Sequence, residues 1–468
     1  MHPIAIDLFC GAGGMSEGIL QAGFHIVFSS DISEDVEKTY TFRHEQLGLI
    51  QGDNTYFQRA DIRNLTSEEI LSSIRNLRMF KDKDNVPQID AIFGGPPCQG
   101  FSRAGLRKKD DPRNMLFREY LRIVKDINPR YVIMENVEGF MDTKMDGYIG
   151  ITGETYEDGS LMPEILINEF NKIGYLTLEP RLLDASNYGV PQRRKRAIFI
   201  AYLAGEEVPA YPEPITLNED EKISVDAAIS DLIIDSVKKE KYFNDYSEYQ
   251  LSSINGRTKS VAGTPIHSNR NLYNHDLSNH NVLIKERFSL FREGESSSML
   301  KKRIREEGIN LTEYPSLLKD CVNKLQEEYG PEQVISLFNR PPVDEELINA
   351  LLTKKNNRYR YKKDSVSPTV VTLPDDYLTP YENRIPTVRE MARLQSFDDS
   401  FIFLGKRTTG GQRRKVEVPQ YTQVGNAVPP LLAKAIGTKI IQAIKASKEK
   451  RLKVGTDPRF LDRDQNTI

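Results

Sequence analysis

The chain has 468 residues, of which 38% are hydrophobic and 28% charged, with 30 Gly and 25 Pro. That length suggests about two to three domains, and the composition is globular, neither low-complexity nor collagen-like. Lys and Arg total 64 against 67 Asp and Glu, a net charge of −3, so only local basic patches can signal nucleic acid. The longest clean apolar stretch, Ala197 to Ala204, falls far short of the about 20 residues a membrane span needs. Met1-His2-Pro3 leads directly into a strand-like run, which argues against a signal peptide. The three cysteines, Cys10, Cys98 and Cys321, are too widely spaced for a disulfide framework or a zinc site, and no metal is expected. A cytoplasmic protein is the expectation.

In chain order, Pro3 to Leu8 reads as a strand ending in a Gly-rich turn, and Met15 to Ala22 as a helix stopped by Gly23. His25 to Ser30 is a second strand, ending at Asp31, and Ile89 to Phe93 another, followed at once by GGPPCQG. Leu116, Tyr120, Val124 and Ile127 mark one face of a helix that Pro129 stops. Tyr131 to Met134 is a strand, Ile165, Phe170 and Ile173 belong to a helix ending at Gly174, and Ala197 to Tyr202 closes the series. Strands alternating with helices predict an α/β fold, a doubly wound and mostly parallel sheet.

From about residue 205 to 365 the periodicity weakens, which predicts a smaller, irregular inserted domain. Near its end Lys354 to Lys363 (KKNNRYRYKK) holds six basic residues and two interleaved tyrosines. This run suits phosphate contact, although such runs also serve as solvated faces. His267, His275 and His280 lack the cysteines or carboxylates of a zinc site and read as structural or DNA-facing groups. Thr387 and Glu390 form a T-x-x-E capping box opening a helix through Leu394, and Pro429-Pro430 suit the first turn of a helix over Leu431 to Ala446. The expected division is 1–204, 205–385, a hinge helix region 386–417, and 418–468 returning to the first domain, with a loose tail beyond Gly455.

Four motifs carry candidate chemistry. Phe9-Cys10-Gly11-Ala12-Gly13-Gly14 follows a strand and opens a helix, the place where such sheets bind cofactors, though a plain tight turn fits as well. Asp31, twenty positions after Gly11, can accept both hydroxyls of a ribose, or can simply cap the next helix. Cys98, in a loop stiffened by two glycines and two prolines and followed by Arg103, Arg107, Lys108 and Lys109, is either a nucleophile or an inert thiol. Cys10 and Cys321 read as inert. Glu135 ends an apolar strand and is partly desolvated, a setting suited to proton donation, or is a common surface acid. In Gln192-Arg193-Arg194-Lys195-Arg196, alternation puts Arg194 and Arg196 on one face, unless the run is a basic sheet edge.

The ordered set DLFCGAGG (7–14), GGPPCQGFS (94–102), ENV (135–137), YGVPQRRKR (188–196), RIPTVREMARLQSF (384–397) and QVGNAVPP (423–430) resembles the cytosine-5 DNA methyltransferases of the bacterial modification type. The resemblance implies an S-adenosylmethionine methyltransferase Rossmann-like fold. Phe9, Gly11, Gly13, Asp31, Asp61, Gly95, Pro97, Leu116, Asn426 and Val428 would hold the cofactor. Cys98 would be the nucleophile, Glu135 the residue that holds and protonates the ring, and Arg194 and Arg196 the arginines orienting that chemistry. The middle would recognise double-stranded DNA, with Gln99, Ser102, Arg103, Lys354, Lys355, Arg358 and Arg360 as contacts. Asp398, where the family often has proline, is expected to have little effect.

The implied reaction is methyl transfer to carbon 5 of a flipped cytosine, by a monomer acting beside a restriction endonuclease with the same site. The related RNA-methylating branch carries a Cys-Phe-Thr segment and Phe-Thr where this chain has Phe101-Ser102. A catalytically silent DNA-binding homologue would not be expected to keep all four catalytic residues. Enzymes acting on exocyclic amino groups have an acidic or polar residue before Pro-Pro, unlike Gly95-Pro96-Pro97-Cys98.

Overall fold

The protein is described here by a computed structural model covering residues 2–81, 87–97, 116–268, 272–353, 358–409, 413 and 416–455. The first half runs β1 (Ile4–Leu8), α1 (Gly14–Ala22), β2 (His25–Asp31), α2 (Glu34–Gln46), β3 (Tyr56–Arg59), α3 (Ser67–Arg75), β4 (Ala91–Gly94), α4 (Leu116–Ile127) and β5 (Tyr131–Val137). A small hairpin, β6 (Lys144–Met145) with β7 (Ser160–Leu161), precedes α5 (Met162–Lys172), β8 (Tyr175–Thr177), β9 (Arg181–Asp184) and β10 (Lys195–Leu203).

The sheet order is β3-β2-β1-β4-β5-β10-β8, with β9 also on β10. The strands from β3 to β5 are parallel and β10 runs antiparallel to β5, β8 and β9. Alternation sends Val132 and Met134 into one apolar core with α3, α4 and α5, and Tyr131 and Ile133 into another with α1 and the last helix. Each large apolar side chain so buried contributes about 1.5–3 kcal/mol, and helices therefore cover both faces.

Two differences from the expected elements matter. β5 continues through Val137, because β10 pairs with it as far as Arg196, so Glu135 lies within a strand. The basic start of β10 is not a sheet edge, since there it lies between β5 and β9.

The middle is more regular than its polar composition suggests. It contains α6 (Val225–Ile229), α7 (Ser236–Tyr242), α8 (Glu248–Asn255), α9 (Val282–Ser289), α10 (Ser297–Glu307), α11 (Pro315–Leu325), α12 (Pro331–Phe338) and α13 (Glu345–Leu351). These helices are short, and several bury only a thin stripe, as Leu317, Cys321 and Leu325 of α11 do. The parallel pair β11 (Tyr359–Arg360) and β12 (Tyr377–Leu378) follows.

The chain then forms α14 (Val388–Leu394), α15 (Gln420–Asn426) and α16 (Pro430–Gly455). Thr387 and Glu390 make the expected capping box, and Glu390 also receives two 2.7 Å bonds from Arg384. All seven residues of α14 are buried. α16 is longer than expected and lies tightly on α1: a side chain at Gly18 would meet Ala433 and the Pro430 carbonyl at 2.4 Å. The tail after Gly455 lies outside the described residues.

Candidate active site

Parallel pairing sets the site. Ser30, Leu8, Gly94 and Met134 occupy one row across β2, β1, β4 and β5. The next residue of each strand or its exit is Asp31, Phe9, Gly95 and Glu135, so four candidates emerge side by side at the carboxyl edge, where open α/β sheets bind ligands.

The glycine turn is shaped by backbone that side chains resist. Phe9, Gly11 and Gly13 have φ of 56°, 52° and 100°. A side chain on Gly11 would meet nothing within 4 Å, so the turn faces open space. Gly14 fills a different role: a Cβ there would strike the Val428 carbonyl at 2.3 Å, so its absence lets the QVGNAVPP segment close against the turn. Asp31 does not cap α2, since Ser33 does. Its Oδ2 accepts from Gly11 N at 3.1 Å and its Oδ1 from Ser33 N at 2.9 Å, tying the turn to the start of α2. Burial raises the Asp31 carboxyl, against the pull of those backbone donors.

Asp7 lies beneath the turn, and burial pushes its carboxyl up to about 7 despite the Ser16 hydroxyl donated at 2.5 Å. Burial also drives the Cys10 thiol well above its ordinary range, and that of Cys321 to about 11, which suits inert residues. Asp61 is held by Arg63, which keeps its carboxyl low, one residue beyond Ala60, whose N–H donates to the Asp31 carbonyl at 3.0 Å. Ile32, 65% exposed immediately after Asp31, is an apolar surface that the sequence reading missed, its only signal being its place between Asp31 and Ser33.

Glu135 is 8% exposed, and Arg196 Nε meets its Oε1 at 2.6 Å. The register explains the pair: Ile198 is opposite Glu135, so Arg196 is its diagonal neighbour on the same face. A side chain at Gly95 would stand 3.1 Å from Glu135 Oε2, and Asn136 Nδ2 donates to the Pro96 carbonyl at 3.2 Å. The ENV strand end and the Gly95–Pro97 segment are thus held together. Cys98, Gln99, Ser102 and Arg103 lie outside the described residues, as do Lys354 and Lys355.

Arg194 is on the predicted face yet does not reach Glu135. Only 2% exposed, it donates to the Val370 carbonyl at 3.1 Å and the Gly425 carbonyl at 2.9 Å. It thereby braces the residue before Asn426. Gln192 and Gln395, not anticipated as site residues, complete the clasp: Gln192 accepts from Val370 N at 2.8 Å and donates to Gln395, whose amide donates to Val424 and Ala427 carbonyls. Asn426 is exposed and Val428 and Leu116 half-buried, as ligand-facing residues would be.

Arg358 and Arg360 require a correction as DNA contacts. Arg360, 5% exposed, donates to the carbonyls of Thr379, Glu382 and Phe288 and to Asn383, and burial pushes it down to about 10. Arg358 is buried with its guanidinium 4.8 Å from the Phe288 ring centre. Alternation puts Arg358, just before β11, and Arg360, within it, on one inward face, where their guanidiniums donate mainly to backbone carbonyls. His275 is structural, bonded to Thr387 and the Leu232 carbonyl, and His280 packs edge-on to Phe288.

Residues 4–442 match the family model described as C-5 cytosine-specific DNA methylase. The chain belongs to that family. It is 30% identical over 444 residues to the Type II methyltransferase M.DdeI of Desulfomicrobium norvegicum, covering 93% of this chain and 88% of that one. It is 30% identical over 443 residues to M1.HphI of Haemophilus parahaemolyticus, covering 93% and 86%. The fold is similar to that of a prophage-encoded E. coli protein described as a DNA modification methyltransferase, with a TM-score of 0.58, 20% identity, and coverage of 95% of this chain and 99% of that one. The protein is a DNA cytosine-5 methyltransferase, and among the described residues no helix is long and apolar enough to cross a membrane.

Proposed function

We propose that this methyltransferase uses S-adenosylmethionine to methylate carbon 5 of a cytosine flipped out of duplex DNA, through a transient bond from Cys98. The observation that carries the reading is the row Asp31, Phe9, Gly95 and Glu135 at one sheet edge, with Arg196 on Glu135 and Pro97 next to Cys98 in sequence.

The residues fit the cofactor. Gly11 leaves open space where a side chain would stand, and the Asp31 carboxylate, with backbone donors at Gly11, Ser33 and Ile32 against about four lone-pair sites, keeps one for a ribose hydroxyl. Phe9, Gly11, Gly13 and Asp31 would hold the nucleoside end, Asp61 would lie near the adenine, and Gly95, Pro97, Leu116, Asn426 and Val428 would line the remainder. When bound, S-adenosylmethionine supplies an electrophilic methyl group on a positively charged sulfonium.

The chain's own part is to make a poor nucleophile reactive. Cys98 adds as thiolate to carbon 6 while Glu135 protonates ring nitrogen 3, and the displaced electron pair makes carbon 5 an enamine carbon. Arg196 holds the Glu135 carboxylate in place for that contact. Once carbon 5 is methylated, its proton passes to solvent water, the electrons of that C–H bond restore the carbon 5–carbon 6 double bond and expel Cys98 as thiolate, and the nitrogen 3 proton returns to Glu135. A base inside a duplex must leave the stack to reach these groups.

Target recognition belongs to the region of about 205–385, with Lys354, Lys355, Gln99, Ser102 and Arg103 as DNA contacts. The Type II methyltransferase names of the relatives support a modification enzyme; that it is a monomer working beside an endonuclease of the same specificity is part of the proposal. Cys98→Ala tests the mechanism: methylation disappears while DNA binding persists. Full turnover by that variant would refute the covalent step.

A further inference from the structure

Helix α2 leaves the candidate ribose carboxylate through Ser33, and Asp35, Thr39 and Arg43 stand four residues apart on one of its faces. Each grips chain far away in sequence. Asp35 Oδ2 accepts from Val418 N at 2.9 Å. The Thr39 hydroxyl accepts from Leu404 N at 2.9 Å and donates to Gln423 Oε1 at 2.7 Å. Arg43 donates to Ser400 at 3.2 Å and holds Glu17 of α1 through two bonds of 2.8 and 3.0 Å. The Gln423 amide is completed by the Leu404 and Val418 carbonyls at 3.1 and 3.0 Å.

Thr39 and Gln423 are buried, and a buried face of this kind would ordinarily pack by apolar contact, which tolerates sliding. Buried hydrogen bonds do not, because a small displacement leaves polar groups unsatisfied in a low-dielectric setting. Three walls of the cofactor site meet at this seam. α1 rises from the glycine turn and carries Glu17, α2 follows Asp31, and α15 ends at Asn426, under one turn after Gln423.

We propose that Thr39 and Gln423 are positioning residues: their bond fixes α15 against α2, sets the span between Asp31 and the Asn426–Val428 rim, and thereby sets affinity for the methyl donor. The proposal rests on the S-adenosylmethionine reading above. It assigns a role to a hydroxyl that touches neither donor nor DNA.

The test is calorimetric binding of S-adenosylmethionine, with steady-state KM for donor and for DNA, in wild type, Thr39→Val and Thr39→Ser. Thr39→Val keeps the shape and removes the hydroxyl, so donor affinity falls and donor KM rises by about five- to tenfold. KM for DNA and kcat at saturating donor stay within about twofold, and Thr39→Ser restores donor KM. Unchanged donor binding in Thr39→Val, whatever its thermal midpoint, overturns the proposal, as do equal rises in both KM values. A wild type that does not bind S-adenosylmethionine overturns the cofactor reading itself. Should Thr39→Val not fold, Asp35→Ala at the half-buried end of the same face carries the test, with donor KM raised about threefold and DNA KM unchanged; no rise in donor KM then refutes the proposal.

Discussion

Asp7 should make this protein less stable as pH rises from about 4 to about 7. Its carboxyl is 1% exposed beneath the glycine turn, and burial is the largest reason it is pushed up to about 7, opposed by the Ser16 hydrogen bond and reinforced by the charge on Asp31. The native state therefore keeps a proton that the unfolded chain, titrating near pH 4, has already lost. Stability from this group is complete below about pH 4 and is lost as pH climbs to about 7, with a total of about 4 kcal/mol. Asp7→Asn is neutral at every pH and still offers Ser16 an oxygen. Its stability advantage over wild type should grow by about 2.5 kcal/mol between pH 5 and pH 8. Urea denaturation of both proteins across that range measures the difference, in which other titrating groups largely cancel. A constant gap would show that Asp7 is ionised throughout, and would refute the claim that burial governs it.

Asp398 accepts from the Arg257 and Thr258 N–H groups at 2.6 and 3.1 Å and from the Arg257 guanidinium at 2.8 Å. Asp398→Ala should therefore cost about 3–5 kcal/mol in a denaturation experiment, and an unchanged midpoint would show those bonds to be worth little. Glu135→Gln should slow methyl transfer by about 10²-fold or more in a single-turnover assay with bound DNA, and a near-wild-type rate would remove Glu135 from proton transfer. Arg360→Ala should lower stability while leaving the salt dependence of DNA binding unchanged; a slope shallower by about one in log–log form would restore Arg360 to the phosphate contacts.

In the first half, β1, β2, β4, β5 and β10 were legible because each is a short apolar run, and α4 because Phe117, Tyr120, Leu121 and Val124 make a wide apolar stripe. By contrast, β3 (YFQR) and α2, which buries Thr39, Arg43 and His44, carry no such pattern. The site was legible because its motifs fall at strand exits, which parallel pairing brings into one row. What the sequence withheld is what depends on distant partners. The extension of β5 to Val137 comes from β10, some sixty residues later. Arg358 and Arg360 were expected to contact DNA as part of a basic run, and only the fold around β11 turns them toward distant carbonyls. Asp398 was expected to matter little where the family often has proline, yet it is a buried acceptor for residues about 140 positions earlier. The partners of Arg194 were similarly hidden, since the Val370 and Gly425 carbonyls are non-local and have no sequence signature.

The central claim, methylation of cytosine in DNA by Cys98, is tested most directly by expressing the chain in a methylation-free bacterial host. Its DNA would then be sequenced after cytosine-conversion chemistry, alongside DNA from a host expressing Cys98→Ala. The account predicts protected cytosines at one short fixed motif with the wild-type chain and none with the variant. Soluble wild-type protein that protects no cytosine, or protection that survives in Cys98→Ala, would contradict it.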